Sequence, residues 1–146
     1  MSGIEPRSNR WDRAAIRAGA SVALVFAVPF SIAARLVAGD DPEGGRATLA
    51  SLLALLAALG FLIGAGVSAW HQQRGTPLSH GIVTASVTYA VPQAVLVAVK
   101  SIRGGDVSWS GLVFNFSIIL LVGLFGGFLG SSLQRRGAVP RSNRDR

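Results

Sequence analysis

The chain has 146 residues, of which 50% are hydrophobic and only 14% are charged, and its formal net charge is +7. Soluble globular domains carry about 25% charged residues. A soluble domain of this length is excluded because its interior is too small to hide so much apolar sequence, and the absence of cysteine excludes disulfides, thiolate catalysis and cysteine-based metal sites.

Four long stretches contain no Asp, Glu, Lys or Arg, and each is nearly or fully long enough to cross the roughly 30 Å hydrocarbon core of a bilayer as a helix. They cover residues 18–34, 47–70, 75–99 and 107–134. The sequence therefore predicts an all-α, four-helix transmembrane bundle with spans at about 14–37, 47–71, 77–100 and 108–134. These spans form one domain, 13–136, between basic tails at 1–12 and 137–146.

The first span has an alternative interpretation as a signal peptide, because a basic segment precedes a short apolar run. Ser31-Ile32-Ala33 would be the cleavage site. Against cleavage, the helical pattern continues through Arg35 and Leu36, and removal of this span would leave an odd number of spans.

The basic residues are distributed unevenly along the chain. Ten of the fourteen Lys and Arg residues lie before the first charge-free stretch, between the second and the third, or after the fourth. The other two connections are close to neutral. Because Lys and Arg are retained on the cytoplasmic side, this bias predicts a plasma (inner) membrane protein with both termini in the cytoplasm. The arginine-rich tails suit anionic inner-leaflet lipids, and no motif that reads nucleic acid accompanies them.

Small residues recur every fourth position in spans two and four, so they share one helical face in each. Such faces let two backbones approach closely in lipid. We expect them to pack span two against span four, with a specific oligomer contact as the alternative. The predicted helix-packing residues are Gly60, Gly64, Ser68, Gly123, Gly127 and Ser131, with Gly126 and Gly130 on an adjacent stripe.

A shift of 63 residues superimposes the two halves of the chain on each other. It lays Phe26–Pro29 on Tyr89–Pro92 and the first small-residue ladder on the second. The overall identity is low, so the arrangement carries the argument. The sequence thus leaves open a tandem repeat of two helical hairpins, related by an axis along the membrane normal.

Two prolines and two amides interrupt the apolar spans. Pro29 and Pro92 lie near the centres of spans one and three, where each removes a backbone hydrogen bond and favours a kink. We expect static bends, with a hinge or an ion-binding carbonyl as the alternative. Gln93 and Asn115 both lie toward the outer side, where they could meet, and each is expected to face protein, because an unpaired amide in hydrocarbon is costly. We expect an interhelical hydrogen bond, with a substrate contact as the alternative.

No Asp, Glu, Lys or Arg lies deep in any span. Coupled transporters and pumps usually need such a group near the midplane. His71 and His80 flank a turn without a nearby carboxylate in sequence, which makes a poor metal site. The carboxylates of the loop 39–45 fit no calcium-binding pattern. We therefore predict no catalytic residue, cofactor or metal, and no enzyme.

The pattern resembles a class of small four-span bacterial membrane proteins of uncharacterised function. The similarity covers about residues 13–136. It rests on a short basic segment before the first span and on the motifs Gly60–Gly66, His80-Gly81 and Gly123–Gly130. It implies no catalytic residue. The sequence favours a non-enzymatic membrane component that packs with itself as a homo-oligomer or with a membrane-protein partner. The alternative is a passive pore or an uncoupled small-solute transporter.

Overall fold

The computed structural model describes residues 11–39 and 43–137. This part of the chain forms four α-helices: α1 (Arg13–Ala38), α2 (Gly44–His71), α3 (Pro77–Ile102) and α4 (Trp109–Arg135). Each is long and apolar enough to cross a membrane, and the described residues contain no strand. The prediction of an all-α bundle of four helices is confirmed. Most of the predicted tails, and residues 40–42 of the acidic loop, lie outside the described residues.

Local chemistry explains where the helices begin and end. Asp12 caps α1 by accepting hydrogen bonds from the N–H groups of Ala14 and Ala15, each at 3.1 Å. Ser108 caps α4 in the same way, through the N–H of Gly111 at 3.3 Å. Proline at the first position opens α3, where its missing N–H has no helical partner to lose. Gly39 ends α1 with a φ of +61°, which L-residues with a side chain rarely adopt.

The four helices are arranged as two hairpins that pack on each other. α1 packs against α2, and α3 packs against α4. Between the hairpins, α2 contacts both α3 and α4, and α1 contacts α3. The helices α1 and α4, both fully described, do not touch.

The small-residue ladders do not face each other, contrary to our expectation. The ladder of α2 packs on α1, because a Cβ added to Gly60 would lie 2.7 Å from the Phe26 Cβ and one added to Gly64 would lie 2.6 Å from the Ala23 Cβ. The contact between α2 and α4 uses the adjacent stripe instead. Within it, a Cβ on Gly126 would lie 2.7 Å from that of Ala65.

The ladder of α4 packs on α3 in the same manner. A Cβ on Gly123 would lie 2.9 Å from the Ala85 Cβ, and one on Gly127 would lie 3.1 Å from the Leu78 Cα. Each ladder thus closes its own hairpin, and the two ladders occupy positions related by the 63-residue shift. Ser68 is fully buried, whereas Ser131, its equivalent, is partly exposed.

Burial divides the bundle into two halves of similar height. Every buried helical residue lies in the segments 13–27, 57–71, 77–88 and 119–135, which we call the closed half. The segments 28–38, 44–56, 89–102 and 109–118 contain none, and we call them the open half. The closed half adjoins both ends of the described chain. Pro29 and Pro92 lie just beyond the last buried residues of α1 and α3, Ala27 and Thr88.

Candidate functional site

A cluster of polar side chains joins the helix ends at the base of the closed half. His80, near the start of α3, is 0% exposed. Its Nε2 accepts a hydrogen bond from the backbone N–H of Asp12 at 2.9 Å. A neutral imidazole then carries its proton on Nδ1, which lies 2.9 Å from the Thr76 carbonyl and donates to it. Both ring nitrogens are therefore engaged, and the first turn of α1 is tied to the first turn of α3.

Two glutamines tie the other helix ends into this cluster. Gln72 is buried directly after α2, and its Oε1 accepts from the backbone N–H groups of Arg74 at 2.7 Å and Thr76 at 3.3 Å. Gln134, at the end of α4, donates from Nε2 to the carbonyls of Trp70 and Gln72, each at 2.8 Å. These bonds satisfy carbonyls that the end of α2 would otherwise leave without a helical partner.

We call this set the base cluster, and it consists of Asp12, Gln72, Thr76, His80 and Gln134. The edge of Trp11 packs on the ring of His80, with centroids 5.5 Å apart. Sequence reasoning missed the cluster, because its members come from three segments that are far apart in the chain. The signals present in the sequence were Asp12 directly before an apolar run, and one glutamine near the end of each of spans two and four.

A polar seam continues from the base cluster toward the middle of the bundle. His80, Thr84 and Thr88 are spaced four apart and share one face of α3, where all three are buried. Thr84 Oγ1 donates to Ser68 Oγ across the α2–α3 contact at 2.7 Å. Gly19 of α1 lies against Ser68, with its added Cβ 2.7 Å from the Ser68 Cβ. Three helices therefore meet around one interhelical hydrogen bond.

Thr88 ends the seam without a partner. Its Oγ1 is buried and makes no hydrogen bond in the described part of the chain. Pro92, four residues further along α3, has no N–H to donate to the Thr88 carbonyl. One residue at mid-bundle therefore presents both an unpaired hydroxyl and a carbonyl without its helical donor.

An aromatic layer separates the closed half from the open half. Phe61 meets Tyr89 edge-on at 6.2 Å between ring centroids. Tyr89 in turn contacts Phe116 at 6.1 Å. The three rings come from α2, α3 and α4, and they lie at the level where helix packing stops.

Beyond this layer the two hairpins separate. Val91, Val95 and Ile102 continue the seam face of α3 at 100° per residue, yet their side chains are 59%, 58% and 86% exposed. On α2, residues seven apart give the same gradient: Ala69 is buried, Leu62 is partly exposed, and Leu55 is 59% exposed. The faces of α2 and α3 that are packed in the closed half are thus exposed in the open half.

The two predicted intramembrane amides do not meet. Gln93 lines a groove of about 500 Å³ between α3 and α4, together with Tyr89, Trp109 and Phe116. Asn115 is exposed. The expectation that it faces protein within the bundle is wrong for this chain alone, because no neighbouring helix covers it at that level. No hydrogen bond joins the two amides among the described residues.

The chemistry of this arrangement is that of neutral hydrogen bonding. Among the residues that the structure describes, no three His, Asp or Glu side chains lie together in a group that could hold a metal ion. The imidazole of His80 is occupied at both nitrogens, and the Asp12 carboxylate caps a helix. The site as built connects helices to each other.

No family model, curated protein or solved structure matches the chain.

Proposed function

We propose that this chain is a non-enzymatic component of a membrane assembly, in which the closed half is a rigid core and the open half receives a partner helix. The observation that carries the proposal is the abrupt end of packing on helix faces that continue beyond it. The exposed fraction of one α3 face rises from 5% at Thr88 to 58% at Val95.

The physics of helix association in lipid supports this assignment. Apolar side chains gain little by leaving lipid tails, so close van der Waals packing and interhelical hydrogen bonds hold transmembrane helices together. The closed half supplies both kinds of interaction within one chain. The open half retains the same helix faces without a neighbour, and a partner helix would complete the packing that α3 and α2 begin.

The orientation belongs to the same proposal. The closed half adjoins both basic termini, whereas the connections of the open half are nearly neutral overall. We therefore place the protein in the plasma membrane with its closed half toward the cytoplasm, and its arginine tails against anionic lipid headgroups. Reporter fusions at each terminus test this placement, and a reporter found on the outer face at either end contradicts it.

A bulky substitution on the open face tests the assembly. Val95→Trp should convert a larger assembly to monomer, because the indole would block the approach of a partner to α3. The size of the protein is measured by native mass spectrometry from mild detergent. Leu96→Trp is the matched control, since Leu96 is also exposed, lies at nearly the same depth on the same helix, and is turned about 100° away from Val95 around the helix. A wild-type chain that remains monomeric at high protein-to-lipid ratio would rule the assembly out.

A second candidate is passive passage of a small polar solute, favoured by the unpaired Thr88 hydroxyl and the carbonyl freed by Pro92 at the floor of the open half. An oxygen-lined position at mid-membrane is where a solute would exchange its hydration. Flux into proteoliposomes, compared between wild type and Thr88→Val, tests this function. Proteoliposomes that remain impermeable to every solute tested would contradict this second function.

A further inference from the structure

Asn115 is a polar side chain that the bundle leaves exposed in its open half. It is exposed on α4, and its amide makes no hydrogen bond to any described residue. The nearby Ser117, by contrast, satisfies its own hydroxyl by donating to the Val113 carbonyl at 2.9 Å. Asn115 thus carries two donors and an acceptor with no partner on its own chain.

Its depth makes this exposure costly. Asn115 lies six residues beyond Trp109, the first residue of α4, and therefore about 9 Å along the helix at 1.5 Å per residue. Trp at a helix end marks the membrane interface, which places the amide inside the hydrocarbon. The short Asn side chain cannot extend back to the headgroups as Arg or Lys would.

The face that carries Asn115 is one on which α4 already packs. Asn115 precedes Ile119 by four residues and Gly126 by eleven, so all three share one stripe. Ile119 and Gly126 are buried against the bundle. Beside the buried part of this stripe, α2 and α4 border a groove of about 530 Å³, whose α4 lining includes Val122 and Phe125 of the closed half. The uncovered amide therefore continues a packing face.

We propose that the open half binds a second copy of this chain, with Asn115 of the two copies paired across a two-fold axis along the membrane normal. This inference deepens the proposed function and rests on it. Two copies with the same topology place Asn115 at the same depth, so each amide finds a partner of matching height. Carbonyl and amide groups are mutually complementary, so each copy donates one N–H to the other and accepts one in return, which engages the carbonyl and one N–H of each side chain.

Disulfide trapping tests the pairing directly, because the natural chain has no cysteine. In membranes treated with a mild oxidant, Asn115→Cys should give a covalent dimer. Ser117→Cys is the matched control: it lies at nearly the same depth, is also exposed, and points about 200° away around the helix. The expected result is at least a fivefold excess of cross-linked dimer for the cysteine at position 115.

Association measured by energy transfer in proteoliposomes tests the role of the amide. Asn115→Leu should weaken dimerisation about tenfold, equivalent to about 1.4 kcal/mol, whereas Asn115→Gln, which keeps the amide, and Ser117→Leu should each stay within about threefold of wild type. Equal cross-linking at positions 115 and 117, or unchanged association of Asn115→Leu, overturns the pairing.

The two levels of the proposal fail in different ways. If Val95→Trp still disrupts an assembly while the cysteine at position 115 does not cross-link, the second copy paired through Asn115 is wrong and the membrane component stands. If the wild-type chain shows no association at any protein-to-lipid ratio, lipid alone covers the open half and both proposals fall.

Discussion

The closed and open halves of this bundle are made from the same four helices, but the glycine ladders occupy only the closed half. Gly60 and Gly64 on α2, and Gly123 and Gly127 on α4, all lie in the closed half. In the open half, the helical glycines Gly44, Gly45 and Gly111 occur only at helix starts. Because backbones can approach closely only where side chains are small, the ladder glycines account for the close helix contacts of the closed half.

Pro29 and Pro92 lie close to the boundary between the closed and the open half. Pro29 lies two residues beyond Ala27, and Pro92 lies four residues beyond Thr88. A proline removes one helical hydrogen bond and favours a bend, so a change of helix direction is least costly there. Both helices continue unbroken through these positions, α1 to Ala38 and α3 to Ile102.

The largest expected effect comes from adding a side chain to the ladder of the closed half. Gly64→Leu should destabilise the bundle by about 3 kcal/mol or more, because its Cβ would already overlap Ala23 and the remaining atoms have no space. The free energy of unfolding is measured by titration with denaturing detergent. Ala54→Leu, on the exposed open part of the same helix, is the control and should change it by about 0.5 kcal/mol or less. An equal loss of unfolding free energy in both variants would show that the closed half is packed no more tightly than the open half.

The two histidines provide a second comparison. His80→Ala should cost about 2–4 kcal/mol, because it leaves a cavity at a fully buried position and removes the partner of the Asp12 N–H. His71→Ala should cost about 0.5 kcal/mol, since His71 is partly exposed and packs only beside Trp70. The same unfolding titration measures both. A His80 variant as stable as wild type would mean that the base cluster does not hold α1 to α3.

The interhelical hydrogen bond of the seam should contribute a smaller amount. Ser68→Ala, Thr84→Val and the double variant form a thermodynamic cycle, and we expect a coupling of about 0.5–1.5 kcal/mol between the two hydroxyls. The measurement is again the free energy of unfolding, compared across the four proteins. Additive single effects would show that the 2.7 Å contact adds nothing beyond the packing of the two side chains.

These comparisons show which structural features could be predicted from the sequence. The four helices, their approximate ends and the positions of the close backbone contacts followed from charge-free length and residue size, each of which is a local property. The pairing of faces did not follow, because α4 carries glycine stripes on two faces: Gly123 faces α3 and Gly126 faces α2. The size and spacing of residues show that another helix can pack closely on a face. They do not show which helix packs there.

The base cluster and Asn115 were unpredictable for a different reason. The bond between Asp12 and His80 joins residues 68 positions apart, so it exists only after both hairpins have packed. The exposure of Asn115 depends on where α2 leaves α4, which is a property of the whole bundle. We expected protein to cover a polar side chain at this depth. Asn115 is exposed instead, and its exposure identifies the surface on which we place a second copy.

The smallest predicted effect separates two threonines on one helix face. Thr84→Val should cost about 1 kcal/mol, because Ser68 loses its partner in the closed core. Thr88→Val should be neutral or stabilising by up to about 1 kcal/mol, since the hydroxyl that it removes is buried and unpaired at the edge of that core. Unfolding titrations of the two variants under identical conditions measure the difference. A loss at Thr88 equal to that at Thr84 would show that its hydroxyl is satisfied in the membrane, and that polar pairing extends past the aromatic layer to the floor of the open half.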